Sequence, residues 1–517
     1  MSNSPDETPA PVRMHPRARY PQLFDWVSMA VYVLLVFSWA LGIYPMGRDY
    51  AAQDLPAGLA PVWQALQHAF GSAFWPYHAV NIVLLYGCMI AIFYLMKLGH
   101  RGPWWLGTLA AVLFMANPVH TESVANLCGM VDLLPCFLAL VALDAYVLTV
   151  RSGSLAWLLL AAPLFALAAI AAPENIGLVI VCALFEALLA SDGVSRRAAR
   201  LGPVLLVGLG AAVLHRATLF THGGDVAAMF GPLYFIVYPI GFLPGTVQTL
   251  HEHPWLGWLA AAAVLAVLFL IYRKARRPML LFALLAIPAV RVFGGGRAID
   301  PVHLIGGGQL LLANALFTVG LTALFHRIMD HPKWRRLTVA GTSLLCLVFM
   351  LMQVHAIMQW RVAGTMLRDF HAQIRLANGT DTAPASGEAL LVCPDIQYLE
   401  GAPLCLSSSL VFDERTVPYR PELPAFSGGI LAAPPINVFA RKGVRMQSIL
   451  QDNTVAILVE GAKPVEVMPL EPAPEISVEV ESDTRFRIDA PFPASAPHLL
   501  VLPGQFPWLS PAPDPAR

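Results

Sequence analysis

Charge is scarce in this chain. Only 13% of its 517 residues are Asp, Glu, Lys or Arg, where soluble domains carry about 25%. The 33 basic and 33 acidic residues cancel, leaving a formal net charge of zero and a pI of about 7.3. No excess of positive charge is present to hold a polyanion, so no nucleic-acid partner is expected. Cysteine is sparse too. None of the seven lies in a CxxC or Cys/His pattern of the zinc-binding kind, and no metal site is predicted, although a divalent ion in the outward loops is left open. Cys88, Cys128, Cys136, Cys182 and Cys346 sit in or beside apolar runs and read as small packing residues. No cleavable leader is expected either, because the first apolar run is long and has no small-residue cleavage site.

What the chain has instead is apolar length. Hydrophobic residues make up 57% of it and the mean hydropathy is +0.62, which predicts a multi-pass membrane protein with the lipid bilayer as its first partner. After a Pro- and Arg-rich tail at 1–22, runs long enough to approach a bilayer's thickness fall at 23–44, 80–96, 104–116, 133–150, 156–171, 176–190, 203–219, 256–271, 279–290, 309–324 and 337–354. Loop charge orients them. Arg13, Arg17 and Arg19, then Lys97 and Arg101, Arg151, the Arg196–Arg200 group, the Arg273–Arg277 group and the Arg327–Arg336 group occupy alternate loops. The opposite loops carry Arg48, Arg216, Arg291 and Arg297. The amino end is therefore expected in the cytoplasm and the carboxyl end outside. The segment 229–250 is apolar but holds Pro232, Pro239 and Pro244, and a full crossing there would break the charge alternation. Read as re-entrant, it leaves about eleven crossings, an odd number that suits ends on opposite sides.

Beyond Trp360 the pattern changes. Short alternating runs at 390–392, 455–459, 465–468, 476–480, 486–488 and 499–502, separated by Pro, Gly and Asp, predict strands. The expected organisation is a cytoplasmic tail at 1–22, an all-α polytopic membrane domain at 23–376, a small extracytoplasmic all-β domain at 377–507 and a Pro-rich end at 508–517. Cys393 and Cys405 lie in that β-rich tail and form the candidate disulfide pair.

One stretch between apolar runs stands out. NPVHTESVANLCGMVDLL, from Asn117 to Leu134, gathers His120, Glu122 and Asp132 at the edge of the membrane domain. Ionisable groups there are costly unless they pair or face a cavity. His120 and Glu122 are two positions apart and cannot share a helical face, so a turn is expected. Asn117 and Pro118 suit an N-cap followed by Pro at the first helical position. The competing reading is a solvated connector between two helices.

The outward loops, taken in order, resemble the GT-C membrane glycosyltransferases, and within them the transmembrane O-mannosyltransferases with tetratricopeptide repeats and their bacterial relatives. PVWQALQHAFGSAFWPYHAVN, Pro61 to Asn81, is similar to that family's entry to its second span. NPVHTESVANLCGMVDLL looks like its HTE motif with a following Gly-Arg and acid. AAPENIGLVIVCALFE, Ala171 to Glu186, resembles its Ser-Lys-Glu stretch, and Asp300-Pro301 sits where it carries an acid followed by Arg. The likeness covers about 23–370, and the helical repeats are absent.

The resemblance implies a many-helix fold with a cavity on the outer face, a polyprenyl-phosphate-linked sugar as donor, an extracytoplasmic protein, glycan or lipid as acceptor, and inverting transfer. It implies no further cofactor, and a bacterial inner membrane with a periplasmic carboxyl domain as the location. An acid of the first outward loop would be the base: Asp49 first, Asp54 second, with Arg48 beside them. Glu122 joins the catalytic set. His78, His120, Asp132, Glu174, Arg216, Arg291, Arg297, Asp300 and His303 are the candidate donor- and substrate-binding residues. Where the family pattern carries cations, this chain has Met130, Pro173 and Pro301. That loss leaves two other readings open: a catalytically degenerate scaffold or assembly factor of the same fold, and a transporter or flippase.

Overall fold

The computed structural model describes residues 20–45, 58–71, 73–100, 103–190, 192–216, 307–329 and 332–378, isolated positions between 255 and 290, and strand segments between 389 and 500. Helices dominate up to residue 378: α1 (Tyr20–Phe37), α2 (Ala60–Phe70), α3 (Trp75–His100), α4 (Trp105–Ala116), α5 (Thr121–Ala125), α6 (Met130–Ser152), α7 (Leu158–Ala171), α8 (Leu178–Leu188), α9 (Val194–Leu214), α10 (Leu311–Met329) and α11 (Pro332–Asn378). Among the described residues six segments are long and apolar enough to cross a membrane: Asp25–Gly42, Trp75–His100, Leu127–Ser152, Val194–Leu214, Leu311–Met329 and Pro332–Arg368. Trp105–Ala116 and Leu155–Ala171 are apolar but shorter. The sequence predicts about eleven crossings by run length; of these, 256–271 and 279–290 fall largely outside the described residues, as does the segment 229–250.

The bundle is built around α6 and α10. About two thirds of the apolar window of each, 67%, is buried, against 33% for the first span, 22% for α9 and 17% for α11. Neither central helix has a strongly one-sided pattern, as expected of helices with neighbours all round. α3 packs on α4 and α6, α6 on α7, and α10 fits against α3, α4, α6 and α11. The peripheral helices keep large apolar side chains exposed, among them Leu35, Leu206, Leu209, Leu337 and Leu344. In water such faces would be a liability; against acyl chains they need no further cover.

α11 is far longer than its predicted span at 337–354. Its 47 residues extend about 70 Å, more than twice the hydrocarbon thickness of a bilayer. The helix does not stop at Trp360, because the apolar stripe continues with helical spacing through Ala356, Ile357, Trp360, Ala363, Met366 and Leu367, all buried. Beyond it, β1 (Ala389–Cys393) pairs in parallel with β4 (Ile430–Ala432) and β9 (His498–Leu500). A second sheet is built from β2 (Tyr398–Leu399), β3 (Ala402–Pro403), β5 (Ile436–Gln451), β6 (Thr454–Val467), β7 (Ser477–Ser482) and β8 (Arg485–Pro491) in the order β3-β2-β5-β6-β8-β7, β5 and β6 being the longest. β6 joins the two predicted strands at 455–459 and 465–468 into one. β5 is missed by the sequence because Ala440-Arg441-Lys442-Gly443 interrupts its alternation, and the register shift between Ala440 and Arg445 falls at that interruption.

The two ends of the bundle differ in chemistry. One collects Arg151, whose guanidinium donates to Leu98 O and Gly99 O, the His100–His326 pair, and a buried ion cluster. There Arg200 grips Glu186 with two bonds of 2.7 and 2.8 Å, Tyr146 Oη donates to the same carboxylate at 2.9 Å, and a third guanidinium nitrogen reaches Asp192 at 2.7 Å. A buried carboxylate is tolerable when paired and fully hydrogen-bonded in this way. The other end holds the loop 117–129.

Removing Arg200 leaves the buried Glu186 carboxylate with only the Tyr146 hydroxyl. Arg200→Ala is expected to destabilise the purified protein by about 3–5 kcal/mol, read as a lower thermal midpoint in detergent. The double change Glu186→Leu with Arg200→Met should recover most of that loss.

Candidate functional site

α4 is too short to cross the hydrocarbon on its own: its 12 residues rise about 18 Å. It ends where Asn117 turns extended and Pro118 opens a 3-10 turn, Pro118–His120. The chain then makes α5, a second 3-10 turn at Leu127–Gly129, and enters α6. Every residue from Asn117 to Gly129 is buried except Cys128, which is half-buried. The loop is therefore neither a solvated connector nor an open cavity wall. It is irregular backbone inside the protein, the one setting in which such backbone is tolerated at membrane depth.

Side-chain amides make that possible. Asn117 Oδ1 accepts from Val119 N at 3.1 Å, the N-cap expected from the sequence. Its Nδ2 donates to Asn314 Oδ1 of α10. Thr121 Oγ1 donates to Pro118 O, and Gln353 Nε2 of α11 donates to Thr121 Oγ1, both at 2.8 Å. Asn81 Nδ2 of α3 donates to Asn126 O at 2.7 Å. Three neighbouring helices thus each send one amide into the loop. Glycines let the backbones close. At Gly129 a Cβ would overlap the Ser123 carbonyl and stand 2.9 Å from Asn81 Nδ2. At Gly308, in the 3-10 turn Gly307–Leu310 before α10, a Cβ would overlap the Asp132 carboxylate.

His78 and His120, beside the loop, are fully buried and hold backbone. His78 stands 3.1 Å from both Ile43 O and Val124 O, linking the end of the first span to α5; a neutral imidazole can donate to one of them. His120 Nε2 lies 2.6 Å from Phe114 O, and its ring packs on Phe114 at 4.2 Å between centroids. A carbonyl only accepts, so Nε2 carries the proton and Nδ1 the lone pair. Asn314 Nδ2 lies 3.1 Å from the same Nε2, a polar contact rather than a donation in this tautomer. Burial pushes the His120 imidazole down from 6.5 to about 3, with the Phe114 bond a smaller opposing effect.

Several buried polar atoms around the loop have no hydrogen-bond partner among the described residues: Asn81 Oδ1, His120 Nδ1, Ser123 Oγ, Asn126 Oδ1 and Gln353 Oε1. All but the hydroxyl are acceptors. Unsatisfied groups of this kind are rare enough in folded proteins to need a reason.

The remaining candidates divide. Glu122 is buried within α5. Asp132 is half-buried in the first turn of α6, and Glu174 is half-buried in the 3-10 turn Pro173–Gly177. That turn is tied to α6 and α7 by Asn175, whose Nδ2 donates to Pro135 O and Ala168 O. These three acids thus come to the same end of the bundle, around the start of α6. Arg216 is exposed just after α9. Arg48, Asp49, Asp54, Arg291, Arg297, Asp300, His303 and Cys405 lie outside the described residues, as does the side chain of Cys393. Among the described residues no three His, Cys, Asp or Glu side chains gather as a metal set. Met130, where the family pattern carries Arg, is buried in a small apolar cluster with Trp63, Tyr77 and Leu127. Asn81, Asn314 and Gln353 were not predicted. The available signal was a lone amide inside an apolar run, which in a membrane segment marks an inward-facing contact.

Gly129→Ala is expected to lower stability by about 1–3 kcal/mol, since the obstacle is backbone that cannot rotate away. Gly202→Ala, on α9 with nothing within 4 Å of the added methyl, serves as the control without loss. His120 also predicts a pH dependence. Its folded pKa lies below its ordinary 6.5, so the unfolded chain binds a proton first. Its contribution is complete above about pH 6.5 and is lost as pH falls towards 3; in His120→Gln the thermal midpoint should fall less steeply between pH 7 and pH 5.

No family model matches the chain. Similarity to characterised proteins is confined to a short stretch. Protein O-mannosyl-transferase TMTC1 of Mus musculus is 36% identical over 85 residues, 15% of this chain and 8% of that protein. The Homo sapiens protein of the same name is 38% identical over 78 residues, 14% of this chain and 8% of that protein. The chain thus covers less than a tenth of either relative's length. These similarities support a distant relationship of this membrane protein to a glycosyltransferase.

Proposed function

We propose that this chain is an integral membrane glycosyltransferase of the GT-C type, moving a sugar from a polyprenyl-phosphate donor to an extracytoplasmic acceptor with inversion. The observation that carries the reading is the end of the bundle around the loop 117–129. It brings Asp132 and Glu174, both half-buried, to one end beside the buried Glu122, opposite the basic end. Carboxylates suit the hydroxyl donors of a sugar; they do not suit a phosphate. The similarity to protein O-mannosyl-transferase TMTC1 points the same way.

In this reading a carboxylate takes the proton of the acceptor hydroxyl. The acceptor oxygen bonds to the anomeric carbon as the bond to the lipid phosphate breaks, and the phosphate leaves with the electron pair. Asp49 is the base, with Asp54 the alternative. Arg48, Arg216, Arg291 and Arg297 are the cations available to the leaving phosphate, and Asp132, Glu174, Asp300 and His303 contact sugar or acceptor. Glu122, His120 and His78 set the shape of the loop. The amino end is cytoplasmic, and the strands from β1 onward form an extracytoplasmic all-β domain, closed by the Cys393–Cys405 pair. Met130 favours a second reading. Its burial among Trp63, Tyr77 and Leu127 leaves no cation at that position, as in a scaffold or assembly factor that keeps the fold without the chemistry.

Asp49→Asn, Glu122→Gln and Asp300→Asn separate the two. The enzyme reading expects Asp49→Asn to reduce the product at least about 100-fold, followed by mass spectrometry of cell-surface glycans and glycoproteins in cells expressing each variant at equal level. Profiles matching wild type in all three, alongside a changed profile on deletion of the chain, would establish the scaffold.

A further inference from the structure

We propose that the basic end of the bundle carries a site for the headgroup of an anionic phospholipid, in the cleft between the start of α4, the end of α10 and the start of α11. A cavity of about 300 Å³ lies there, lined by Trp105, His326, Met329, Arg335 and Val339. Its two ends are of opposite character. Arg335 is exposed on the first turns of α11 and has no ion-pair partner among the described residues. His326 is half-buried, its Nδ1 3.0 Å from His100 Nε2, with the Trp105 ring edge-on at 6.1 Å. When His100 donates Nε2–H to His326 Nδ1, the free Nε2 of His326 carries a proton. A bound anion selects that tautomer and receives this N–H together with the Arg335 guanidinium.

The other wall is apolar. Met329 and Val339 line it, and α11 continues from Val339 with Leu344, Leu347 and Leu351 exposed. A polar, cationic pocket opening onto a bare apolar helix face fits an amphiphile with phosphate at one end and acyl chain at the other. It does not fit a soluble anion, which would leave the apolar wall uncovered. The surrounding sequence reinforces the charge: Arg327, Lys333 and Arg336 flank the site, with Asp330 the only acid between His326 and Arg336. The positive-inside bias places this end at the cytoplasmic leaflet, whose lipids are anionic and attract juxtamembrane Lys and Arg.

This site is separate from the proposed sugar-transfer site. It lies at the end of the bundle away from the loop 117–129: along α10 the 12 residues from Asn314, which meets the loop, to His326, which lines the cleft, put about 18 Å between them. Its test therefore stands apart from the glycan readout. The full chain, purified in mild detergent, is titrated with phosphatidylglycerol or phosphatidylcholine and the bound lipid counted by native mass spectrometry. Phosphatidylglycerol should be retained in preference, Arg335→Glu should lower its apparent affinity about fivefold or more, and Arg335→Lys should keep most of it. Arg196→Glu, an exposed charge elsewhere on the basic end, should leave the preference intact. Equal retention of the two lipids, equal loss in Arg196→Glu and Arg335→Glu, or complete displacement of phosphatidylglycerol by millimolar inorganic phosphate would each overturn the proposal.

Discussion

The constraint on which the rest depends is that a backbone inside a bilayer has no water to bond with. The bundle satisfies this mainly with helices, whose amides pair internally, and departs from it most extensively in the loop 117–129. There side chains supply the missing partners. Asn81 donates to Asn126 O, His78 reaches Val124 O and Asn117 caps the first turn, while Asn314 and Gln353, from two further helices, hold the Asn117 and Thr121 side chains. Each of these groups would be expensive in lipid and unremarkable in water. Together they make the loop and the bundle mutually dependent: the helices bury their polar residues on the loop, and the loop exists because the helices pack.

That dependence explains the distribution of small residues and imidazoles at this end. Gly129 and Gly308 sit where a single methyl would meet the Ser123 carbonyl or the Asp132 carboxylate, so the loop is pressed against α3, α6 and the start of α10. His120 is held neutral because the surroundings that make it a good strut also exclude the solvation a cation requires. A histidine that ties down backbone in this way shapes a site without having to touch what binds there.

The opposite end answers the same constraint differently. There the polar groups are formally charged, and they are tolerated because Glu186 is saturated by Arg200 and Tyr146, while the remaining cations lie where α9 and α11 begin and meet solvent or headgroups. The peripheral helices face outward with leucine. The molecule therefore has a buried polar plug beside Glu122, Asp132 and Glu174 at one end and a partly open, cationic rim at the other. The proposed sugar chemistry and the proposed lipid contact belong to these separate ends.

The sequence by itself determined what depends on composition and short-range pattern. Low charge and long apolar runs require membrane-spanning helices. The alternation of basic loops is mirrored in the collection of Arg151, Arg200, His326 and Arg335 at one end of the bundle. Asn117-Pro118 fixes the start of a turn because a cap needs only its own two neighbours. Several outcomes were illegible because they depend on partners far along the chain. The burial of HTES is decided by residues nearly 200 positions or more away, Asn314 and Gln353, and no local pattern distinguishes a loop facing water from one facing three amides. α11 outruns its predicted end because packing against the bundle, not hydropathy, carries it through Trp360. Only the tertiary structure could decide that His78 and His120 bond to carbonyls, that Met130 fills an apolar cluster where the family pattern places a cation, and that Asp132 lies against Gly308. Hydrogen bonding and close packing are set by which helices meet, and the order of residues along one helix does not contain that information.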